Sequence, residues 1–258
     1  MEVQKELKHD VVSNLLAQGK RADGRQKLQY RDIVIKKGVL ENAEGSALCS
    51  IGKTQVLAGV KIDIATPFPD RPEEGILSTG AEFTPLGAPH FEPGPPRVEA
   101  IELARVVDRA VRSSEAIDLK KNVITPGEKV LAIYIDLWVL DHGGNLFDTA
   151  LLASMAALKG TRMPKIEDGK LNRKESGAML EISKDVVSCT FAKIGKDFLL
   201  DPDFSEEIGS DTLVILATEG KHLCSGQKSG KGEITQKELG ELVGISFEKA
   251  KELRRAIA

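Results

Sequence analysis

Residues 126–160 read PGEKVLAIYIDLWVLDHGGNLFDTALLASMAALKG, and the parsing of this stretch decides the fold. A Pro–Gly break opens it. The run from Val130 to Leu140 is rich in β-branched and aromatic side chains and interrupted only by Asp136, the pattern of a buried strand. DHGGN at 141–145 then reads as a turn, because paired glycines and an asparagine supply the backbone freedom a tight reversal needs. From Leu146 an alanine and leucine run continues to Gly160, the signature of a helix that is apolar on all sides and therefore buried.

The same alternation extends outward. Upstream, Val3, Leu7, Val11, Val12, Leu15 and Leu16 recur at helical spacing and Gly19 supplies a stop, which predicts an N-terminal helix within residues 1–20. The polar stretch KRADGRQKLQYRD (20–32) leads into IVIKKGVL (33–40), a strand by its β-branched content. After ENAEG (41–45), SALCSIG and TQVLAGVKIDIA read as two strands joined by a turn at Gly52 and Lys53. Downstream, 181–203 and 211–230 read as four short strands turning at Gly195 and Gly220. A last helix starts at Thr235, which forms a capping box with Glu238. Strands followed by helices, twice over, predict an α+β fold with two similar halves, about 21–165 and about 166–258.

PLGAPHFEPGPP (85–96) holds five of the 11 prolines and is read as a surface loop, since neither a helix interior nor a central strand tolerates that density. It precedes IELARVVDRAVRSSEAIDL (101–119), where Arg105, Arg109 and Arg112 stand four and three apart and share one helix face. Leu103, Ala104, Val107, Ala110 and Val111 fall on the other side. Glu102 and Asp108 are in-helix acidic partners for Arg105 and Arg112, whereas Arg109 has none. Two readings of the stripe stand open: a solvated face, or a site for an anion such as phosphate.

With 36 Lys and Arg against 39 Asp and Glu, bulk charge gives no sign of nucleic-acid binding, so any such site must be a local concentration of cations. Cys49, Cys189 and Cys224 are isolated and odd in number, which supports neither a disulfide framework nor a cysteine zinc site. The N-terminus mixes charges among its apolar residues and lacks the continuous apolar run of a signal peptide or membrane span, so a cytoplasmic protein is expected. GKT (52–54) resembles the end of a P-loop, but Ala47 stands where that motif needs its first glycine. The four histidines lack metal-ligand spacing and are read as surface or turn residues.

Two segments carry candidate chemistry. At DHGGN, Gly143 and Gly144 would leave backbone N–H groups free at the start of a helix, a geometry suited to phosphate; the alternative is a plain strand-to-helix connection. In LLDPDFSEEIGSDTL (199–213), Asp201, Asp203, Glu206, Glu207 and Asp211 could bind Mg²⁺ or act as a general acid, or simply form a solvated loop.

Taken in order, KRADGR, PGPP, the arginine helix, DHGGNLFDTALLASMAAL, LLDPDFSEE and GQKSGKG (226–232) resemble the RNase PH family of phosphorolytic exoribonucleases over essentially the whole chain. ELARVVDR, and GGN at the turn, are most similar to the family's non-catalytic archaeal exosome branch. The resemblance implies an RNase PH-like fold of two βαβα-like halves with mixed sheets and packed helices. It implies an alternating hexameric ring, a trimer of heterodimers with a catalytic RNase PH-like subunit, capped by RNA-binding proteins. Single-stranded RNA is shortened there from its 3′ end with inorganic phosphate.

The resemblance further implies that Arg105 and Arg109, with Arg112 next on the stripe, hold the RNA backbone beside the partner's active site. Active members carry an arginine at the glycine turn, where this chain has Asn145 after Gly143 and Gly144, a degenerate phosphate loop. Glu207 matches the first catalytic aspartate, and Asp211 the second only after a gap, a degenerate acidic site. Loss of the arginine removes a bidentate phosphate partner, so no phosphorolysis, no metal and no cofactor of its own are expected, phosphate and Mg²⁺ belonging to the partner subunit. An autonomous RNase PH-like nuclease using Glu207 and Asp211, and a mere ring spacer with solvated arginines, are the rival readings.

Overall fold

The computed structural model describes residues 2–167 and 170–258. The elements run α1 (Glu2–Ala17), β1 (Ile33–Lys37), β2 (Gly45–Ile51), β3 (Thr54–Ala65), β4 (Ile76–Phe83), α2 (Val98–Ser113), β5 (Val123–Thr125), β6 (Lys129–Asp141) and α3 (Leu146–Lys159). They continue with β7 (Arg162–Glu167), β8 (Lys170–Met179), β9 (Val186–Ile194), β10 (Asp197–Leu200), α4 (Phe204–Gly209), β11 (Thr212–Glu219), β12 (His222–Gly230) and α5 (Gln236–Ile257).

The first sheet has the order β1-β2-β3-β6-β4, with β5 added on β6. It is mixed: β3 and β6 are antiparallel, with Val60 opposite Ile135, whereas β4 and β6 run parallel, with Thr79 opposite Ile135. A parallel pair needs a crossover, and α2 lies within that connection. The second sheet is antiparallel in the order β10-β9-β11-β12. The hairpins turn at Gly52 (φ +56), Gly195 (φ +58) and Gly220 (φ +45), as the sequence predicts, each in the left-handed region that glycine enters without strain.

Helix α3 lies between the sheets, packed on β2 and β3 from one side and on β9 from the other. That position explains its composition, since every residue from Thr149 to Leu158 is buried and only small or aliphatic side chains fit between two sheets. Leu151, Leu152, Met155 and Leu158 join Ile133, Ile135, Phe191 and the α5 residues Leu253 and Ile257 in one core. Helix α2 is amphipathic and covers β4, with the five apolar residues expected to face inward all buried.

Several elements differ from the sequence reading. β4, β5 and the β7–β8 hairpin were not anticipated. The acidic stretch read as a loop contains α4, where Asp203 caps Ser205 and Glu206 while the Glu206 side chain accepts from the Asp203 amide. Among the described residues no helix is long and apolar enough to cross a membrane.

Candidate functional site

Helix α2 and the neighbouring strand β4 frame a cleft of about 420 Å³, lined by Leu77, Ser78 and Thr79 and by Arg105, Arg109 and Arg112. The three arginines do not behave alike. Arg112 donates from Nε and Nη2 to the two Asp108 carboxylate oxygens at 3.0 Å each, and from Nη2 to the Leu77 carbonyl at 2.7 Å. Its charge is matched within the fold, so the third cation of the expected stripe instead ties α2 to β4. Arg109 is exposed and donates from Nη1 to the neutral Gln227 Oε1 at 3.1 Å. Arg105 is exposed and has no partner among the described residues. Glu102, the acid expected to pair with it, instead accepts from Gln227 Nε2 at 3.1 Å. Two guanidinium groups thus face the cleft without an acid of their own.

The glycine turn sits between β6 and α3 as expected, but its amides are not free. The Gly143 N–H donates to Thr54 Oγ1 at 3.1 Å, the Gly144 N–H to His142 Nδ1 at 3.4 Å and the Asn145 N–H to Glu207 Oε1 at 2.8 Å. The carbonyls are held too: Arg31 Nη1 donates to that of Gly143 at 2.8 Å and Arg31 Nη2 to that of Gly144 at 3.1 Å. A Cβ on Gly144 (φ +94) would come within 2.4 Å of the Asp203 backbone, so here the glycine admits another chain segment rather than a ligand. Of the two readings of the turn, the arrangement matches the plain strand-to-helix connection, with the Asn145 N–H given to a carboxyl of the same chain.

Asn145 is fully buried at φ +58 and caps α3, its Oδ1 accepting from the Asp148 N–H at 3.4 Å. Its Nδ2 donates to Asp148 Oδ2 at 3.0 Å and to Asp201 Oδ1 at 2.7 Å. Asp148 also accepts from the hydroxyls of Tyr30, Ser188 and Thr190. Asp201 is wholly buried and accepts from the Arg31 N–H, from Arg31 Nε and Nη2, and from Arg25 Nη1, at 2.7–2.9 Å. Arg21 pairs with Glu206 at 2.8 and 2.6 Å in the same region. The arginines of KRADGRQKLQYR are therefore fasteners that strap the segment before β1 onto the acidic stretch, a role that the sequence does not reveal because it depends on long-range pairing.

The two acidic residues matched to a catalytic pair separate. Glu207 faces the glycine turn, while Asp211 accepts from the Gly195 N–H at 2.8 Å in the β9–β10 turn. Among the described residues no group of three or more His, Cys, Asp or Glu side chains is arranged to hold a metal ion. His142, read as an ordinary turn residue, stacks on Phe91 at 5.7 Å with an interplanar angle of 10° and meets Phe204 edge-on at 5.0 Å.

Burial pushes Glu207 up to about 8, against the opposing pull of the Asn145 N–H and of Arg31. Burial raises Asp148 to about 6 and lowers His142 to about 4, with His90 and Arg31 adding to the latter. The signs separate by pH. Asp148 weakens the fold as pH rises from its unfolded value to about 6, whereas His142 strengthens it between about 4 and its ordinary 6.5. Of these three groups, Glu207 dominates between pH 6.5 and 8, where the folded chain keeps a proton that the unfolded chain has lost. Stability should fall by about 1–2 kcal/mol across that window, and Glu207→Gln should flatten it. Urea midpoints at the two pH values check this, and equal slopes for the two proteins would contradict it.

Residues 29–164 match the family described as "3′ exoribonuclease family, domain 1", and residues 186–249 match its domain 2. "Exosome complex component Rrp42" of Thermococcus gammatolerans is 44% identical over 262 residues, covering 100% of this chain and 96% of the relative. Among solved structures, one described as the Archaeoglobus fulgidus exosome with RNA bound to the active site includes a chain that superposes with a TM-score of 0.92 at 39% identity, over 99% of this chain and 100% of that one. A chain of an archaeal exosome core gives a TM-score of 0.88 at 37% identity, over 100% of this chain and 99% of that one.

Proposed function

The chain belongs to the 3′ exoribonuclease family typified by RNase PH, and on that premise we propose that it is a non-catalytic ring subunit of an archaeal-type exosome. In this reading it alternates with a catalytic RNase PH-like paralogue in a hexameric ring beneath RNA-binding caps, in the cytoplasm. It helps to shape the paralogue's active site and holds the backbone of single-stranded RNA there. Inorganic phosphate and Mg²⁺ serve the paralogue, which removes nucleoside diphosphates from the RNA 3′ end.

The observation that carries the non-catalytic assignment is the closed glycine turn. Phosphorolysis needs a phosphate held by donors aimed at the charge that develops on it. Here the Asn145 N–H is taken by Glu207, the Gly143 and Gly144 N–H groups are taken by Thr54 and His142, and no arginine stands at the turn position. The observation behind the RNA role is the cleft with Arg105 and Arg109, whose planar cations suit phosphodiester oxygens and read no sequence.

Purified alone and supplied with RNA, phosphate and Mg²⁺, the chain should release no nucleoside diphosphate; mixed with its catalytic paralogue, it should support release. Chromatography of the nucleotides formed decides the matter. Diphosphate release by the chain alone would return it to the autonomous enzymes.

A further inference from the structure

GQKSG (226–230) ends β12, and its Gln227 joins two residues of α2 that the sequence places on opposite sides of the charge balance. Its Oε1 accepts from Arg109 Nη1 at 3.1 Å while its Nε2 donates to Glu102 Oε1 at 3.1 Å. A primary amide can do both, because it carries an acceptor and a donor on one planar group. The orientation is fixed by its neighbours: reversed, the NH₂ would face a guanidinium and the oxygen a carboxylate.

We infer that Gln227 is a positioning residue of the RNA clamp, holding Arg109 by one end and keeping the Glu102 carboxylate from neutralising Arg105 by the other. The inference rests on the clamp reading above. Glu102 stands three residues before Arg105, at the spacing for an in-helix ion pair, yet the pair is not formed and Arg105 has no partner among the described residues. The other acid at the cleft, Asp108, is fully engaged by Arg112 and also accepts from Thr79 Oγ1 at 3.4 Å. Each acid of this face is thus tied to something other than Arg105 and Arg109, and Gln227 is the group that ties Glu102. Gln227 is half-buried against α2 and packs as part of the second sheet, so the clamp on one sheet's helix is set by a strand of the other.

The test uses the complex reconstituted with the catalytic paralogue and a single-stranded RNA, with affinity measured over a series of salt concentrations. Gln227→Leu keeps the volume and removes the amide, freeing Glu102 to pair with Arg105. It should weaken RNA binding about three- to tenfold and make the salt slope shallower by about one. Gln227→Glu, which sets a carboxylate against Arg109, should weaken it further. Adding Glu102→Gln to Gln227→Leu should restore the slope and part of the affinity, the hold on Arg109 remaining lost, which a merely structural role for Gln227 would not do. If Gln227→Leu leaves affinity and slope unchanged while Arg109→Ala lowers both, the inference is overturned and the clamp stands. Failure of Glu102→Gln to recover any of the slope also overturns it. If Arg109→Ala changes nothing, the clamp reading itself fails.

Discussion

Asp201→Ala should cost the folded chain about 4 kcal/mol, the range for removing one partner of a buried ionic network. Asp201 is fully buried and is the common acceptor for Arg25, Arg31 and Asn145. Its removal leaves Arg31, its side chain 12% exposed, short of its counter-charge, leaves Arg25 with Asp23 alone, and leaves a buried amide short of an acceptor. Breaking one side of a buried ionic network costs more than the network contributes, because the remaining charges keep their desolvation penalty. Asp201 also sits at φ +51, so an alanine there bears backbone strain that aspartate tolerates better. A fall in melting temperature of about 10 °C is expected for a chain of this size. Asp201→Asn keeps the shape and part of the hydrogen bonding, and it should cost less. Equal melting temperatures for wild type and Asp201→Ala would show that Arg25 and Arg31 find other partners.

Reversing both cleft cations, Arg105→Glu with Arg109→Glu, should weaken RNA binding by the assembled complex on the order of a hundredfold near ~0.1 M salt and flatten the salt dependence. Both residues are exposed, and neither has an acidic partner to be orphaned, so stability should hardly move. Arg112→Glu should do the reverse, disturbing the link to Asp108 and Leu77 and lowering stability more than affinity. The contrast separates a clamp from a spacer: unchanged affinity and slope in the double variant would leave the ring-spacer reading standing.

Much of this architecture was legible because it is local. Hydrophobic period, turn glycines and capping residues are written within a few positions of where they act, which is why α3, α5 and the glycine-turned hairpins follow from sequence. β4 escaped because ILSTGAEF is neither cleanly alternating nor continuously apolar; it is a strand because β6 offers it a parallel edge. The α2 charges were half legible. The Arg112–Asp108 pair follows from helical spacing, while the diversion of Glu102 to Gln227 depends on a contact across 125 residues. The glycine turn stayed ambiguous for a similar reason: paired glycines before a helix look the same whether they make room for a ligand or for Asp203 and Phe204.

The buried position of Asn145 also acts as a ratchet. Its partners are Asp148, Asp201 and Glu207, all acids. An arginine placed there would find an acidic side chain in each of those directions, at a site already holding a left-handed backbone. If the chain is non-catalytic as proposed, phosphate chemistry here would take coordinated changes at the turn, at Glu207 and in the network that fastens Arg31. On the proposed reading, the non-catalytic role rests on a filled space as much as on a missing arginine.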